Sequence, residues 1–94
     1  MKLFLIHVGF YDPEIMDGLY EQHINYFLVA QNIKEAKKKA RLNPIYKRKK
    51  MHIDGIQELN VVDGFRINLI PENNDNDVVI YSYDEVKKWR ALPK

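Results

Sequence analysis

Three histidines are the residues of this chain best suited to chemistry, with Glu21 and Asp54 as carboxylates to assist them. Imidazole nitrogens and carboxylate oxygens can together ligate a divalent metal ion. A carboxylate beside an imidazole can also orient it for acid–base catalysis, which suggests pairing His23 with Asp54 or Glu21. No spacing forces His7, His23 and His52 to converge, since the chain has no HExxH or related pair on one helical turn. His23, His52 and Asp54 are therefore ligand-site candidates, with hydrogen-bonded strand histidines as the structural alternative, and no metal ligand or cofactor is assigned.

The machinery of common enzyme classes is missing from the sequence. Ser82 is the single serine and has no GxSxG context. The chain has no cysteine, which excludes disulfides, thiolate nucleophiles and cysteine-ligated zinc or iron–sulfur sites. Its four glycines are scattered and form no phosphate-binding loop. No catalytic residue is assigned, and an enzyme is the weaker functional class.

A basic run at residues 34–50, KEAKKKARLNPIYKRKK, is the strongest feature of the charge pattern. It holds nine Lys or Arg against the single acid Glu35, so it carries +8 while the rest of the chain carries −6. Such a pole can orient an anionic partner, either nucleic acid or an acidic protein. The alternative is the solvated side of a helix, which explains KEAKKKAR but not the IYKRKK that follows Pro44. The nucleic-acid-binding candidates are Lys37, Lys38, Arg41, Lys47, Arg48, Lys49 and Lys50.

Two strands must position the first histidines. KLFLIHVGF is rich in Val, Ile, Leu and Phe without a helical period, which predicts a buried first strand. HINYFLVA predicts a second strand, with His23, Asn25 and Phe27 on one face and Ile24 and Tyr26 on the other.

A helix rich in lysine and alanine is predicted next, over IKEAKKKARL. Asn32 can cap its start, and Ala36 and Ala40 belong to one apolar stripe. The residue before Pro44 is disfavoured in a helix, so the helix should end near Leu42. The small side chains of the stripe suit close packing onto a sheet.

The remaining segments complete an α+β pattern. MHID begins a third strand with a bulge or bend at Gly55, and Asp63-Gly64 between ELNVV and FRINLI predicts a hairpin with a type I′ turn. VVIYSY is a candidate edge strand, and SYDEVKKWRAL a short helix capped by Ser82 or Asp84. The order β–β–α–β–β, with a fifth strand and a short C-terminal helix as candidates, predicts an antiparallel or mixed sheet covered on one face by one main helix. The uncovered face is the natural place for a partner.

The size of the chain favours a single small domain, residues 1–94, with a thin core. A domain of this length buries about two-thirds of its unfolded surface, so a shallow groove or a subunit interface suits a ligand better than a deep cavity. Its aromatic residues exceed what one small core needs, which favours an association surface. The apolar stretch Leu3–Phe10 is far shorter than the roughly 20 residues that cross a bilayer, so no membrane association is expected.

Five segments of the chain follow one another in a recognisable order. They are Glu21–His23, Phe27–Ala30, Ile33–Ala40, His52–Gly55 and Val62–Ile67. Their order and spacing resemble the uncharacterised domain-of-unknown-function family 1543, over about half of the chain. The resemblance implies a small bacterial cytoplasmic protein and supplies no catalytic residues, because that family has no assigned activity. Some members have two copies of the domain, so the single copy here implies room for a homodimer partner. The first strand ends His-Val-Gly-Phe where the family pattern has two glycines, so the following turn is expected to differ.

Three functional hypotheses come from these observations. The leading one is a small non-enzymatic binding or interaction module in the cytoplasm, acting as a homodimer through the open sheet face or an edge strand. The first alternative is nucleic-acid binding through residues 34–50. The second is a small-molecule or metal-linked activity around His23, His52 and Asp54.

Overall fold

A three-stranded antiparallel sheet with one helix on one face forms the centre of this α+β structure. The computed structural model describes residues 1–44, 46 and 50–89. The central strand pairs with a neighbour on each side, in the order β2-β1-β3. The strands are β1 (Lys2–Tyr11), β2 (Glu21–Ala30) and β3 (His52–Leu59).

The first strand buries alternate residues because its two faces meet different surroundings. Phe4, Ile6 and Val8 are fully buried and form the centre of the core. Leu5 and His7 lie on the opposite face and are only half-buried. A strand turns successive side chains to opposite faces, so one face of the sheet is covered and the other is open. A 3₁₀ turn at Met16–Gly18 lies in the connection to β2.

The covering helix, α1 (Ile33–Leu42), begins and ends where the sequence predicts. The side chain of Asn32 accepts a hydrogen bond from the Glu35 N–H at 2.9 Å and caps the first turn. Ala36 and Ala40 are fully buried against the sheet, because a methyl side chain lets the helix approach closely. The Tyr26 hydroxyl donates to the Ala40 carbonyl at 3.3 Å and ties β2 to the helix.

A bulge interrupts the pairing of β3 with β1, as predicted at Gly55. Asp54 and Gly55 stand together opposite His7, so β3 has one extra residue at this point. In a regular strand Ile53 and Ile56 would point to opposite faces, since they are three residues apart. The extra residue lets both pack against the core, which is the physical reason for the bulge.

A short hairpin follows β3 directly, with strands β4 (Val61–Val62) and β5 (Phe65–Arg66). Asp63 and Gly64 have φ of 52° and 83°. Positive φ at both central residues is what a type I′ turn requires, so the predicted Asp-Gly hairpin is confirmed.

The segment VVIYSY is not a strand, and that prediction is wrong. Residues 67–82 have no helix or strand, and Val78, Val79 and Ile80 are exposed to solvent. A strand needs a neighbour to receive its backbone hydrogen bonds, and within the described residues neither sheet pairs with this segment.

The last element is the predicted short helix, α2 (Tyr83–Lys88). Ser82 caps it in a reciprocal arrangement: its hydroxyl accepts from the Glu85 N–H, and the Glu85 carboxylate accepts from the Ser82 N–H. Among the described residues, no helix has the length and apolar character needed to cross a bilayer.

Candidate metal centre

Strand register brings two histidines to the same place on the open face of the sheet. Gly9 in the central strand lies opposite His23 of β2 and opposite His52 of β3. Cα atoms two strands apart are about 9–10 Å from each other, so the two imidazoles can meet only by leaning across the strand between them. That strand has no side chain at this point, because the residue there is glycine.

Two carboxylates join these imidazoles. Glu21 lies two residues before His23 on β2, so both side chains project from the same face. Asp54 is the bulge residue of β3, and the bulge leaves it on the open face beside His52. The four side chains come from the two outer strands and lie above the central one.

The nitrogen and oxygen atoms of this cluster have separations that suit a metal ion. The His52 Nε2 lies 2.8 Å from Glu21 Oε1 and 3.1 Å from Asp54 Oδ1. The His23 Nε2 lies 3.1 Å from Asp54 Oδ2 and 3.5 Å from Glu21 Oε1. A tetrahedral ion with bonds of about 2.0–2.1 Å holds its donor atoms about 3.3 Å apart. The observed distances lie on both sides of that value.

Hydrogen bonding alone accounts for only part of this geometry. Each Nε2 carries at most one hydrogen, and that hydrogen lies in the ring plane and favours a single acceptor. Both Nε2 atoms face two different carboxylates, so each ring has one contact that a single linear hydrogen bond does not satisfy. A bound cation would satisfy the contact that a hydrogen bond leaves over.

Gly9 leaves the space that the cluster occupies. A Cβ built on Gly9 would collide with Glu21 Oε1 and would lie 2.7 Å from Asp54 Oδ2 and 2.8 Å from His52 Nε2. Real Cβ atoms do not approach other heavy atoms so closely. A side chain at this position would therefore push aside the ends of three of the four members of the cluster.

His7 lies beside the cluster and has its own polar partner. Its Nδ1 and the Asn25 Oδ1 are 2.6 Å apart. An amide oxygen only accepts, so Nδ1 is the donor in this contact. The ring also stacks on His23, with centroids 5.0 Å apart and planes 5° from parallel. His7, His23 and Asp54 form a second group whose donor atoms lie within 4.8 Å of one another.

Solvent and small molecules can reach this site. The side chains of its four members are between 30% and 52% exposed. A groove of about 430 Å³ runs alongside, lined by Leu5, His7 and Asn25 on one side and by Gly55, Ile56 and Gln57 on the other. The site is thus an open surface cluster, as a thin core predicts.

The predicted ligand residues His23, His52 and Asp54 lie in two groups that share Asp54: His52 stands with Glu21 in one, and His23 with His7 in the other. The sequence pattern did not single out Gly9, which stood as one of four scattered glycines, or Asn25. One signal was present: E-x-H and H-x-D each place two metal-ligating side chains on one strand face. The expectation that the chain holds no metal stays a prediction.

The basic residues do not join this site. Lys37, Lys38 and Arg41 are exposed on α1, which covers the other face of the sheet. Lys39 donates from Nζ to the Val29 carbonyl at 2.6 Å, and Lys50 is exposed. The other candidates, Lys47, Arg48 and Lys49, lie outside the described residues.

Comparison with known proteins identifies a family but no activity. The family model described as Domain of Unknown Function (DUF1543) matches residues 18–69. Neither the curated proteins nor the solved structures include a match to the chain. The matched residues contain all four members of the cluster.

Proposed function

The chain belongs to this family of unknown function, and we propose that the domain is a metal-binding module that holds one divalent transition-metal ion on the open face of its sheet. The observation that supports the proposal is the convergence of four side chains over Gly9. Each imidazole Nε2 lies 2.8–3.5 Å from an oxygen of Glu21 and from an oxygen of Asp54, close to the spacing of neighbouring ligands around a tetrahedral ion.

Each ligand has a defined role in this proposal. His23 and His52 supply neutral imidazole nitrogens and Glu21 one carboxylate oxygen, while Asp54 faces His52 with Oδ1 and His23 with Oδ2. Two carboxylates balance the charge of a divalent ion, so the occupied site is neutral overall. A mixed nitrogen and oxygen set suits Zn²⁺ and its neighbours Mn²⁺, Fe²⁺, Co²⁺ and Ni²⁺, and is a poor match for Ca²⁺, which prefers oxygen alone.

The exposure of the ligands makes the proposed ion accessible. Both imidazoles are partly open to solvent, and the adjoining groove of about 430 Å³ has room for a small polar molecule. A bound ion would therefore exchange with the medium and could take an additional ligand from that groove. This geometry favours a binding module over a buried structural metal site.

Calorimetric titration of the metal-free protein with Zn²⁺ tests the proposal. One ion per chain is expected, and Co²⁺ should give the visible absorption of a tetrahedral site. At a concentration of about 100 times its Kd, Zn²⁺ should raise the free energy of unfolding by about 2.7 kcal/mol. His52→Ala and Asp54→Asn should each weaken binding by at least about tenfold, because the first removes a ligand and the second removes the negative charge of one.

A matched control uses a second carboxylate of β3. Glu58 pairs with Lys2 at 3.4 Å, away from the cluster, so Glu58→Gln should leave Zn²⁺ affinity unchanged. The proposal fails if the wild-type protein neither binds Zn²⁺ nor gains thermal stability from it. It also fails if His52→Ala and Glu58→Gln bind the ion as well as the wild type does.

The other expectations from the sequence stay predictions. A non-enzymatic module is consistent with the metal site we propose, and a cytoplasmic location and a bacterial source are untested. Nucleic-acid binding gains no support from the described residues, where Lys37, Lys38 and Arg41 occupy ordinary exposed helical positions. The homodimer is supported by a different part of the molecule.

A further inference from the structure

The C-terminal arm, residues 60–89, leaves its apolar side chains uncovered. None of its residues is buried, and only Ile67 and Leu69 are half-buried. Exposed large hydrophobic residues occur throughout it, from Phe65 to Ile80, which is 83% exposed. The radius of gyration is 16.8 Å, against about 13 Å for a compact chain of 100 residues. Apolar surface of this extent usually marks an association site.

Residues 78–81 of the arm have the composition of a strand but pair with no strand among the described residues. Residues 78–81 are VVIY, and β-branched and aromatic residues of this kind favour sheets. The sheet offers an unpaired neighbour at β2, whose outer edge pairs with no strand in the described residues. At that edge the Val29 carbonyl accepts from the Lys39 side chain.

Two apolar grooves lie beside β2. One of about 330 Å³ extends from Tyr26 and Phe27 to Leu42, and one of about 280 Å³ extends from the same pair to Met51. Together they are lined on β2 by residues from Ile24 to Leu28, and the larger one reaches α1 at Lys39 and Leu42. Their shape suits an extended segment that adds to the sheet by backbone pairing and places alternate side chains in pockets.

The arm and this edge of the sheet also carry complementary charges. The arm residues just before VVIY are ENNDND, which carry three acidic groups and no basic one. The helix beside the grooves, α1, has five basic residues and one acidic residue. A segment that enters the grooves with the acidic stretch first would place its carboxylates near the basic side chains of α1. Such complementary charges steer association and set the direction in which the segment lies.

We propose that residues 78–81 dock as an added strand on the outer edge of β2 of a second copy of this chain, with the two copies exchanging arms. The arm leaves the sheet from β3, at the edge opposite to β2. The Ile67 N–H donates to the Asn60 carbonyl at 2.9 Å, which fastens the hairpin at the end of β3. Reciprocal exchange buries both arms in one symmetric, closed interface. This inference does not depend on the metal site.

The oligomeric state in the presence of a metal chelator tests this inference. Sedimentation equilibrium at micromolar concentration should give twice the chain mass of 11.2 kDa. Ile80→Asp should raise the dimer dissociation constant by at least about tenfold, because it places a charge in an apolar groove. Met16→Asp is the matched control: Met16 is 64% exposed outside the arm, and its replacement should not change the dimer.

Cysteine cross-linking identifies the docking surface, since the chain has no cysteine of its own. Ile80→Cys protein mixed with Phe27→Cys protein should give a disulfide-linked pair containing one chain of each kind. Met16→Cys mixed with Phe27→Cys should give far less. A wild-type protein that is monomeric at every concentration overturns the inference. A dimer that Ile80→Asp leaves intact overturns it as well, because a different surface would then hold the two copies together.

Discussion

The two faces of β1 carry residues of opposite character on one backbone. Phe4, Ile6 and Val8 point toward α1 and are fully buried. Leu5, His7 and Gly9 point the other way, toward a surface that α1 does not cover. The covered face is selected for volume, because close packing is what stabilises a core. On the open face the important feature is the missing side chain of Gly9, which makes room for four polar side chains from the neighbouring strands.

A substitution on the covered face should lower stability the most. Phe4→Ala should lower the free energy of unfolding by about 3–5 kcal/mol, since it removes a fully buried ring from a thin core. Leu5→Ala, one residue along on the open face, should cost about 1–2 kcal/mol because that side chain is only half-buried. Denaturant unfolding of both variants measures the difference. Equal losses would show that the two faces are equally covered in solution.

A substitution at Gly9 on the open face should weaken metal binding. Gly9→Ala should weaken Zn²⁺ binding by about 10- to 100-fold, or about 1.4–2.7 kcal/mol, because its Cβ displaces three of the proposed ligands. Gly55→Ala is the control, since a Cβ there meets no atom within 4 Å. Titration calorimetry of both variants decides the point. Unchanged affinity in Gly9→Ala would place the ion elsewhere.

A substitution where β2 packs against α1 should have the smallest effect on stability, and that effect should depend on pH. Burial, with a smaller contribution from Tyr46, raises the pKa of Tyr26 above its ordinary value of 10.0. The folded state therefore holds this proton more tightly than the unfolded state does. The stability that results is complete below pH 10 and is lost as pH rises through the folded pKa.

Tyr26→Phe tests this account of the contact between β2 and α1. It should cost about 0.5–1.5 kcal/mol at neutral pH, through the lost hydrogen bond to the Ala40 carbonyl. It should also reduce the fall in stability above pH 10. Tyr83→Phe should change neither quantity, because Tyr83 is 79% exposed. An alkaline profile that is identical in wild type and Tyr26→Phe would assign the effect to other groups.

Local signals in the sequence predicted much of the fold. The bounds of α1 came from Asn32 and Pro44, which act on their own neighbours, and the Asp63-Gly64 turn is equally local. The alternation of side chains along β2 predicted which residues lie on each of its faces. VVIYSY failed because a strand also requires a partner, and its composition says nothing about where that partner lies. The candidate site was predicted only as a set of residue types.

The sequence by itself determined the residue types of the site, the absence of cysteine, the helix and its cap, and the alternation that places His23 opposite the core face. Tertiary structure decided that His23 and His52 flank the same glycine, and that a bulge leaves Asp54 beside them. Caps, turns and alternation depend on neighbours along the chain, so they can be read locally. Register between distant strands depends on how all three strands bury Phe4, Ile6, Val8 and their neighbours together, and only the assembled sheet fixes it.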